Sequence, residues 1–352
     1  MHTLYHTFLS NAILNLKIFS YFTLIFYFFI EKDRLSHPIV LYYSLSFHKI
    51  YVKKEFIMKF ITVLQVIILG IIEGFTEWLP ISSTGHMKLF NSFWALKNVS
   101  EPFVEMFEYV IQLAAILAVI ILFWKTIFPL GTEKKTLENG ESKTAIVWKK
   151  DALQLWGKVL VACIPALLAL IPDMLFEKLC EKHELIEPLA IACTLIIYGV
   201  AFIVVEQFNK KRNPKITELT ELSYKYAFFI GCFQLLAAIP GTSRSGITII
   251  GALLLGVNRT TASKFTFVLA IPTMVGASAY KLLKFFLEEG TMSGTEIGYL
   301  LIGCVVAFAV SIAAIKLLMN FVKKHDFKLF GWYRIALGAV VIGALIIPSL
   351  IG

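Results

Sequence analysis

The sequence has few charged residues: Asp, Glu, Lys and Arg make up 16% of its 352 positions, against about 25% in soluble domains. Cysteine is also scarce, with five residues and no C-x-x-C spacing. Four of the five lie within apolar blocks, at Cys163, Cys193, Cys232 and Cys304. The low charge excludes a water-soluble globule, and the cysteine pattern argues against a disulfide scaffold or a zinc site.

Apolar residues are abundant instead, at 58% of the chain with a mean hydropathy of +0.75. They form runs of about the length that crosses a bilayer as a helix. The long runs lie at 60–79, 107–123, 153–171, 189–205, 224–239, 265–286, 297–319 and 332–350. The net charge of +9 then indicates basic cytoplasmic loops facing anionic lipid headgroups rather than a nucleic-acid partner.

Two further apolar stretches, 82–94 and 243–255, are too short to cross a bilayer and open with hydroxyl and glycine residues. We interpret them as re-entrant half-helices, each forming a hairpin with the run before it. Non-helical backbone at membrane depth is tolerated only where protein buries it or where it lines a water-filled cavity. Each short stretch therefore marks a candidate site.

Loop charge predicts the orientation of the helices, because cytoplasmic loops are enriched in Lys and Arg. Loops with more basic than acidic residues lie at 124–152, 207–224 and 320–328, and we predict that they are cytoplasmic. Loops with more acidic residues lie at 95–108, 173–187 and 284–296, and we predict that they are external. The first hairpin then enters and leaves the membrane from outside, and the second from inside.

The two hairpins are also similar in sequence at a shift of 161 residues. Gly70, Glu73, Ser82, Thr84 and Gly85 align with Gly231, Gln234, Ser243, Ser245 and Gly246. Two halves with opposite topology predict an inverted repeat, about 59–206 and about 223–351, within an all-α polytopic membrane protein of about six full transmembrane helices. Chance similarity among apolar sequences is the alternative, and the agreement between loop charge and alignment argues against it.

The segment 1–57 fits this plan poorly, because its one strongly apolar run is short for a span and the rest is polar and basic without clear periodicity. Met58 followed by Lys59 resembles a natural start. We therefore predict that 1–57 is an upstream extension outside the functional unit 58–352. An additional anchoring helix and a signal peptide are the alternatives.

The first group of candidate catalytic residues begins with two carboxylates. Glu73 and Glu77 are four residues apart, so on a helix both project from one face. Like charges in an apolar segment are costly unless they hold a cation, share a proton or meet a cationic partner. Carboxylate oxygens suit Mg²⁺ or Ca²⁺ that is also bridged to phosphate. A carboxylate pair that faces solvent at a helix end, before Pro80, is the alternative.

Hydroxyl groups and a histidine follow these carboxylates. Pro80 predicts the end of the helix, and Ser82, Ser83 and Thr84 then supply hydroxyls and free backbone N–H groups at the start of the half-helix. A helix N-terminus attracts anions through its dipole and its unpaired donors. His86 is close enough in sequence to share the cavity as a base or nucleophile. A plain hydrogen-bonding role for His86 is the alternative.

The second group surrounds an arginine inside an apolar stretch. Gly241 allows close backbone approach, and the hydroxyls of Ser243, Ser245 and Thr248 flank Arg244. An intramembrane arginine normally has an anionic partner, and its planar guanidinium matches phosphate in a bidentate manner. An internal ion pair with Glu73 or Glu77, without a ligand, is the alternative. The combined groups suit an oligophosphate better than a sugar or an amino acid.

These two regions resemble the signature motifs of the bacterial undecaprenyl-diphosphatase family, also called bacitracin-resistance proteins. The matching residues are Glu73-x-x-x-Glu77, Pro80-Ile-Ser-Ser-Thr-Gly-His86 and Pro240-Gly-x-Ser-Arg-Ser-x-x-Thr248. The resemblance extends over about residues 59–350. It implies a cell-membrane enzyme that hydrolyses undecaprenyl diphosphate, depends on a divalent cation, Mg²⁺ or Ca²⁺, opens toward the external face and gives tolerance to bacitracin.

By this resemblance, Glu73 and Glu77 would hold the metal or position water, Arg244 would clamp the diphosphate, and Ser83 or His86 would attack or activate the nucleophile. Residues implied in substrate binding are Ser82, Thr84, Gly241, Ser243, Ser245 and Thr248. A secondary transporter or lipid flippase for an anionic headgroup is the alternative function, because inverted repeats are shared with transporters. A homodimer is a further expectation.

Overall fold

The computed structural model describes residues 38–136, 142–168, 180, 183, 185–288 and 291–351. The chain divides into two units, Met1–Thr62 and Val63–Gly352. The proposed extension at 1–57 lies in the first unit, and its residues 1–37 fall outside the described residues. From Pro38 onward it is helical, and the same helix continues through the first apolar run.

The described elements are mainly helices. In chain order they are α1 (Pro38–Thr76), α2 (Ser83–Trp94), α3 (Glu101–Leu122), α4 (Trp124–Ile127), α5 (Lys150–Leu168), α6 (Ile186–Asn209), α7 (Tyr224–Gln234), α8 (Arg244–Leu254), α9 (Arg259–Glu288), α10 (Gly294–Phe321), α11 (Lys328–Val341) and α12 (Ile347–Ile351). A 3₁₀ turn at Leu235–Ala238 follows α7, and a π-helical segment at Ile342–Ile346 joins α11 to α12.

Six helical segments of the described chain are long and apolar enough to cross a membrane. They are Val52–Thr76, Glu101–Leu122, Ile186–Asn209, Arg259–Leu287, Gly294–Phe321 and Lys328–Leu350. This confirms the all-α polytopic class and the expected number of full spans. The opposite orientation of the two halves in the membrane stays a prediction.

The apolar run predicted at 153–171 is helix α5, which is not among the six spans. It carries a buried Lys158, whose ammonium donates to the carbonyl oxygens of Leu219 at 3.1 Å and Thr220 at 3.0 Å. The two carbonyl oxygens belong to the loop before α7, and they satisfy the buried ammonium group of Lys158. Helix α5 is therefore bound to this loop by polar as well as apolar contacts.

An antiparallel ribbon in the loop 124–152 is the exception to the helical plan. Strands β1 (Leu130–Thr136) and β2 (Ser142–Trp148) pair with Leu130 opposite Trp148 and Thr136 opposite Ser142. The sequence predicts only a basic loop here. Charged and polar residues fill β1, so the alternation of apolar residues that marks a half-buried strand is missing.

Glycines set the closest helix crossings. A Cβ added at Gly199 of α6 would lie 2.7 Å from the carbonyl oxygen of Gly331 in α11, and one added at Gly331 would lie 2.7 Å from that of Gly199. At Gly70 of α1, the added atom would lie 2.9 Å from the Gly303 carbonyl oxygen of α10. Such close backbone approach is typical of helix packing in membranes and brings the segments that carry the site together.

The main apolar core lies directly behind the first hairpin turn. Trp78, the residue after Glu77, is fully buried, and its ring meets Phe267 of α9 edge-on with 5.5 Å between ring centroids. Leu79 and Ile81 are buried in the same cluster. The turn that carries the candidate carboxylate is therefore anchored on both sides by packed apolar side chains.

Candidate active site

Two turns with the same backbone conformation begin the half-helices. Ser82 before α2 has φ +75°, and Ser243 before α8 has φ +66°, a region that residues other than glycine rarely adopt. Ser82 Oγ accepts a bond from the Gly85 backbone N–H at 3.3 Å, and Ser243 Oγ accepts one from that of Gly246 at 3.2 Å. Both serines thus cap their helices, and the predicted half-helices are confirmed.

Glu77 joins the two hairpins. Ser83 donates its hydroxyl to Oε2 of Glu77 at 2.6 Å, and Arg244 donates Nη2 to Oε1 at 2.6 Å. The Ser245 hydroxyl also donates to the backbone carbonyl of Glu77 at 3.1 Å. The structure therefore brings together three predicted catalytic residues, and it shows the ion pair that was the alternative interpretation of Arg244.

Helix α9 holds the other side of the Arg244 guanidinium. Its Nη1 donates to the hydroxyl of Thr273 at 3.1 Å and to the carbonyl oxygen of Ala270 at 3.4 Å. In the ion pair, the side chains of Arg244 and Glu77 are only 16% and 10% exposed. Because partners on two sides hold the guanidinium, its charge is fixed at the carboxylate that also accepts from Ser83.

Glu73 lies one turn before Glu77 but in a different environment. It is 1% exposed, and its Oε1 has no hydrogen-bond partner among the described residues. It lines a cavity of about 420 Å³ together with Ser83 and Thr84 of the first half-helix. The pair of carboxylates is therefore split: Glu77 faces an arginine, and Glu73 faces a cavity.

The rest of the cavity lining comes from α2, α3 and the start of α6. Its polar side chains are Lys88, Asn91, Ser92, Glu108, Tyr109, Gln112 and Glu187. Lys88 forms an ion pair with Glu187, and Asn91 donates its amide to Glu108 Oε1 at 2.9 Å. The cavity lining is thus mostly polar and holds charges of both signs.

His86 lies outside the residues that line this cavity. Its Nδ1 is 2.7 Å from the Ser82 carbonyl oxygen, and its Nε2 is 2.7 Å from the Tyr333 hydroxyl of α11. Because a carbonyl oxygen only accepts, Nδ1 is the donor in that bond. The ring also stacks on Tyr333 with 5.6 Å between centroids. Both ring nitrogens are therefore engaged by protein groups.

The other predicted substrate-binding residues have different surroundings. Thr84 lines the cavity and is exposed. Gly241 adopts φ +83°, which favours glycine. Thr248 is buried, donates to the Arg244 carbonyl oxygen at 2.8 Å and lies 3.0 Å from the Thr266 hydroxyl. These contacts indicate a cavity position for Thr84 and packing positions for the other two.

Arg334 is a buried residue that the sequence analysis missed. It is fully buried, and its Nη2 donates to the carbonyl oxygens of Gly241 at 2.8 Å and Thr242 at 3.0 Å. Its Nη1 donates to the Pro80 carbonyl oxygen at 3.4 Å. One guanidinium thereby ties the two hairpin turns to α11. An arginine within the apolar run 332–350 was the available signal, since intramembrane charges are rarely without a partner.

The candidate metal ligands fit a divalent cation unequally. Glu73 offers a buried carboxylate oxygen without a partner in the described structure, whereas both oxygens of Glu77 are engaged by Arg244 and Ser83. No cluster of three or more His, Cys, Asp or Glu side chains suited to a metal occurs in the described part of the chain. Mg²⁺ commonly uses one or two carboxylates with water and substrate phosphate, so Glu73 fits such an ion.

These features define a class of protein: a polytopic membrane protein in which two half-helix hairpins bring a carboxylate, a serine hydroxyl and an arginine together, with the serine also lining a polar cavity. Comparison with known proteins identifies the family. Residues 66–340 match the family described as bacitracin resistance protein BacA. The chain belongs to this family, which confirms the resemblance of its two motifs.

Curated relatives are similar over most of their length. An undecaprenyl-diphosphatase of Enterococcus faecalis is 54% identical over 285 residues, which cover 81% of this chain and 98% of that protein. One from Lachnoclostridium phytofermentans is 51% identical, with 81% and 98% covered. One from Desulfitobacterium hafniense is 50% identical, with 81% and 96% covered.

Proposed function

We propose that this chain is a membrane enzyme that hydrolyses undecaprenyl diphosphate to undecaprenyl phosphate and inorganic phosphate, a reaction that recycles a cell-wall lipid carrier and gives tolerance to bacitracin. The substrate comes from the names of relatives about half identical to it. The observation that carries the proposal is Glu77, which accepts from Ser83 and from Arg244 through its two carboxylate oxygens.

In the proposed reaction Ser83 is the nucleophile. Its Oγ attacks the terminal phosphorus while its proton passes to Oε2 of Glu77, the oxygen it already contacts. The bond from phosphorus to the bridging oxygen breaks, and undecaprenyl phosphate leaves with the electron pair. Water then hydrolyses the phosphoserine to inorganic phosphate. His86 is the weaker candidate because both of its ring nitrogens are engaged outside the cavity lining.

Arg244 supplies the positive charge of the site. Phosphoryl transfer depends mainly on positioning and on electrostatic stabilisation of charge at the phosphate oxygens. The ion pair places the guanidinium on one oxygen of the Glu77 carboxylate, whose other oxygen accepts from Ser83. Thr273 keeps it there by accepting from Nη1. In this arrangement the charge is already oriented before substrate enters.

We also propose that the reaction uses a divalent cation, Mg²⁺ or Ca²⁺, with Glu73 as a ligand. When bound, such an ion would neutralise charge on the phosphate oxygens. The unpartnered carboxylate oxygen of Glu73, a residue that lines the cavity, supports this assignment. Glu77, the second expected ligand, is a less suitable one because Arg244 and Ser83 occupy its oxygens.

The loop charges support a location in the bacterial cell membrane with the cavity open to the external face. Glu187, in a loop predicted to be external, lines the cavity and is consistent with that opening. A homodimer stays a prediction.

Phosphate release from a C55 prenyl diphosphate by purified protein in detergent tests the function. We expect wild type to release phosphate. The rate of release by Ser83→Ala should be lower by a factor of about 10² to 10⁴. Ser349→Ala, at an exposed serine that donates to the Leu345 carbonyl oxygen, is the matched control and should keep the wild-type rate. No release by folded wild type would contradict the proposal. Headgroup transfer across liposomes would then favour the transporter alternative.

A further inference from the structure

Two acceptor oxygens of the cavity-lining residues are buried without a partner in the described structure. They are Oε1 of Glu73 and Oδ1 of Asn91. A buried acceptor without a donor costs about 1 to 3 kcal/mol, more when it is charged, so such atoms are uncommon in native structures. Glu73 as a whole is 1% exposed. Both residues line one cavity, and two unpaired oxygens on its lining residues point to a ligand that binds oxygen.

A third oxygen donor lies beside them. Glu108 of α3 lines the same cavity, and its Oε1 accepts from Asn91 Nδ2 at 2.9 Å. This bond fixes the orientation of the Asn91 amide, because a carboxylate oxygen only accepts. Nδ2 donates to Glu108, and Oδ1 is left without a partner. Carboxylate and amide oxygens together are the ligands that Mg²⁺ and Ca²⁺ prefer.

The charge of the cavity points to the same kind of ligand. Three carboxylates, of Glu73, Glu108 and Glu187, line it with one ammonium, of Lys88, which gives a formal charge of minus two. A diphosphate would be repelled by this lining because like charges in a poorly solvated site are unfavourable. One divalent cation would cancel the excess charge.

We propose that Glu73, Glu108 and Asn91 are the protein ligands of a divalent cation, Mg²⁺ or Ca²⁺, and that Glu77 is not a ligand. This inference rests on the proposed diphosphatase function for the role of the ion. The remaining coordination positions would be open to water and to the substrate. Glu77 instead serves Ser83 and Arg244, whose positive charge disfavours a second cation at the same carboxylate.

Binding of Mn²⁺ tests the site without turnover. Electron paramagnetic resonance of the full chain in detergent would count bound Mn²⁺, alone and with methylene diphosphonate, with Mg²⁺ and Ca²⁺ as competitors. We expect Glu108→Gln and Asn91→Leu each to weaken binding by about 10 to 100-fold. Glu77→Gln should leave the affinity within about twofold, although it removes turnover. Glu105→Gln, on the exposed face of the same helix as Glu108, is the matched control.

The measurement distinguishes two sets of metal ligands: Glu73 with Glu108 and Asn91, or Glu73 with Glu77. Loss of binding in Glu77→Gln with binding kept in Glu108→Gln would overturn the proposal and return the metal to the pair of Glu73 and Glu77. No Mn²⁺ binding by wild type under either condition would overturn it as well. Thermal unfolding of each variant shows whether weaker binding results from the loss of a metal ligand or from a failure to fold. Wild type that binds Mn²⁺ as expected but releases no phosphate would keep this site and refute the diphosphatase function.

Discussion

The two hairpin turns share a backbone but differ in their chemistry. Ser82 and Ser243 have nearly the same φ, and each caps its half-helix three residues ahead. The residue after the cap is Ser83 in the first turn and Arg244 in the second, and both side chains reach Glu77. The first turn thus supplies the nucleophile and carboxylate, and the second supplies the positive charge.

A second difference lies one helical turn before the hairpin turns. Glu73 of the first hairpin aligns with Gln234 of the second, and both are buried. Only Glu73 lines the described cavity. A repeated backbone can therefore provide two equivalent helix ends while a carboxylate at this position occurs in only one half.

The largest expected effect comes from changing the charged group of the second turn. Arg244→Lys keeps the charge but cannot contact Glu77 and Thr273 at once, because the ammonium is a compact donor group. We expect phosphate release to fall by about 10² to 10³-fold. Arg259→Lys, which alters the ion pair with Glu206 outside the cavity lining, is the matched control. Near wild-type release by Arg244→Lys would show that charge alone suffices.

The contrast between the turns also shows what the sequence could predict. Runs of apolar residues and the clustered Gly, Pro and hydroxyl residues identified both half-helices, because these residue types act locally on the backbone. Glu77, Ser83 and Arg244 were predicted from their chemistry. The split of Glu73 from Glu77 could not be predicted, since spacing on a helix says nothing about the partners that other helices bring.

Arg334 is the clearest case of a tertiary contact that spacing conceals. It lies in an apolar run far from both motifs, and its partners are backbone carbonyl oxygens, which leave no pattern in side-chain types. The strands of the loop 124–152 were missed for a related reason, as their pairing is set by register between β1 and β2 rather than by apolar alternation. Local chemistry was predictable, and long-range backbone contacts were not.

The next largest effect is expected from breaking the link between the turns. Arg334→Met leaves the carbonyl oxygens of Gly241 and Thr242 buried without their donor. We expect a loss of about 1 to 3 kcal/mol in the free energy of unfolding, measured by thermal unfolding in detergent. Arg212→Met, in an exposed loop, should leave stability unchanged. Equal stability of Arg334→Met and wild type would show that the turns hold their positions without this guanidinium.

The smallest effect tests whether the two turns are equivalent as backbone. Ser82→Ala and Ser243→Ala should each lose about 1 kcal/mol of stability through the cap, and more through an alanine at positive φ. Glycine at either position should cost only a few tenths of a kcal/mol, because it adopts this conformation freely. Ser293 caps α10 at φ −68°, so glycine there gains no conformational advantage. Thermal unfolding should therefore show a larger gap between alanine and glycine at Ser82 and Ser243 than at Ser293. An equal difference in stability between the alanine and glycine variants at all three positions would contradict this. It would mean that the positive φ of Ser82 and Ser243 does not determine which residues the turns tolerate.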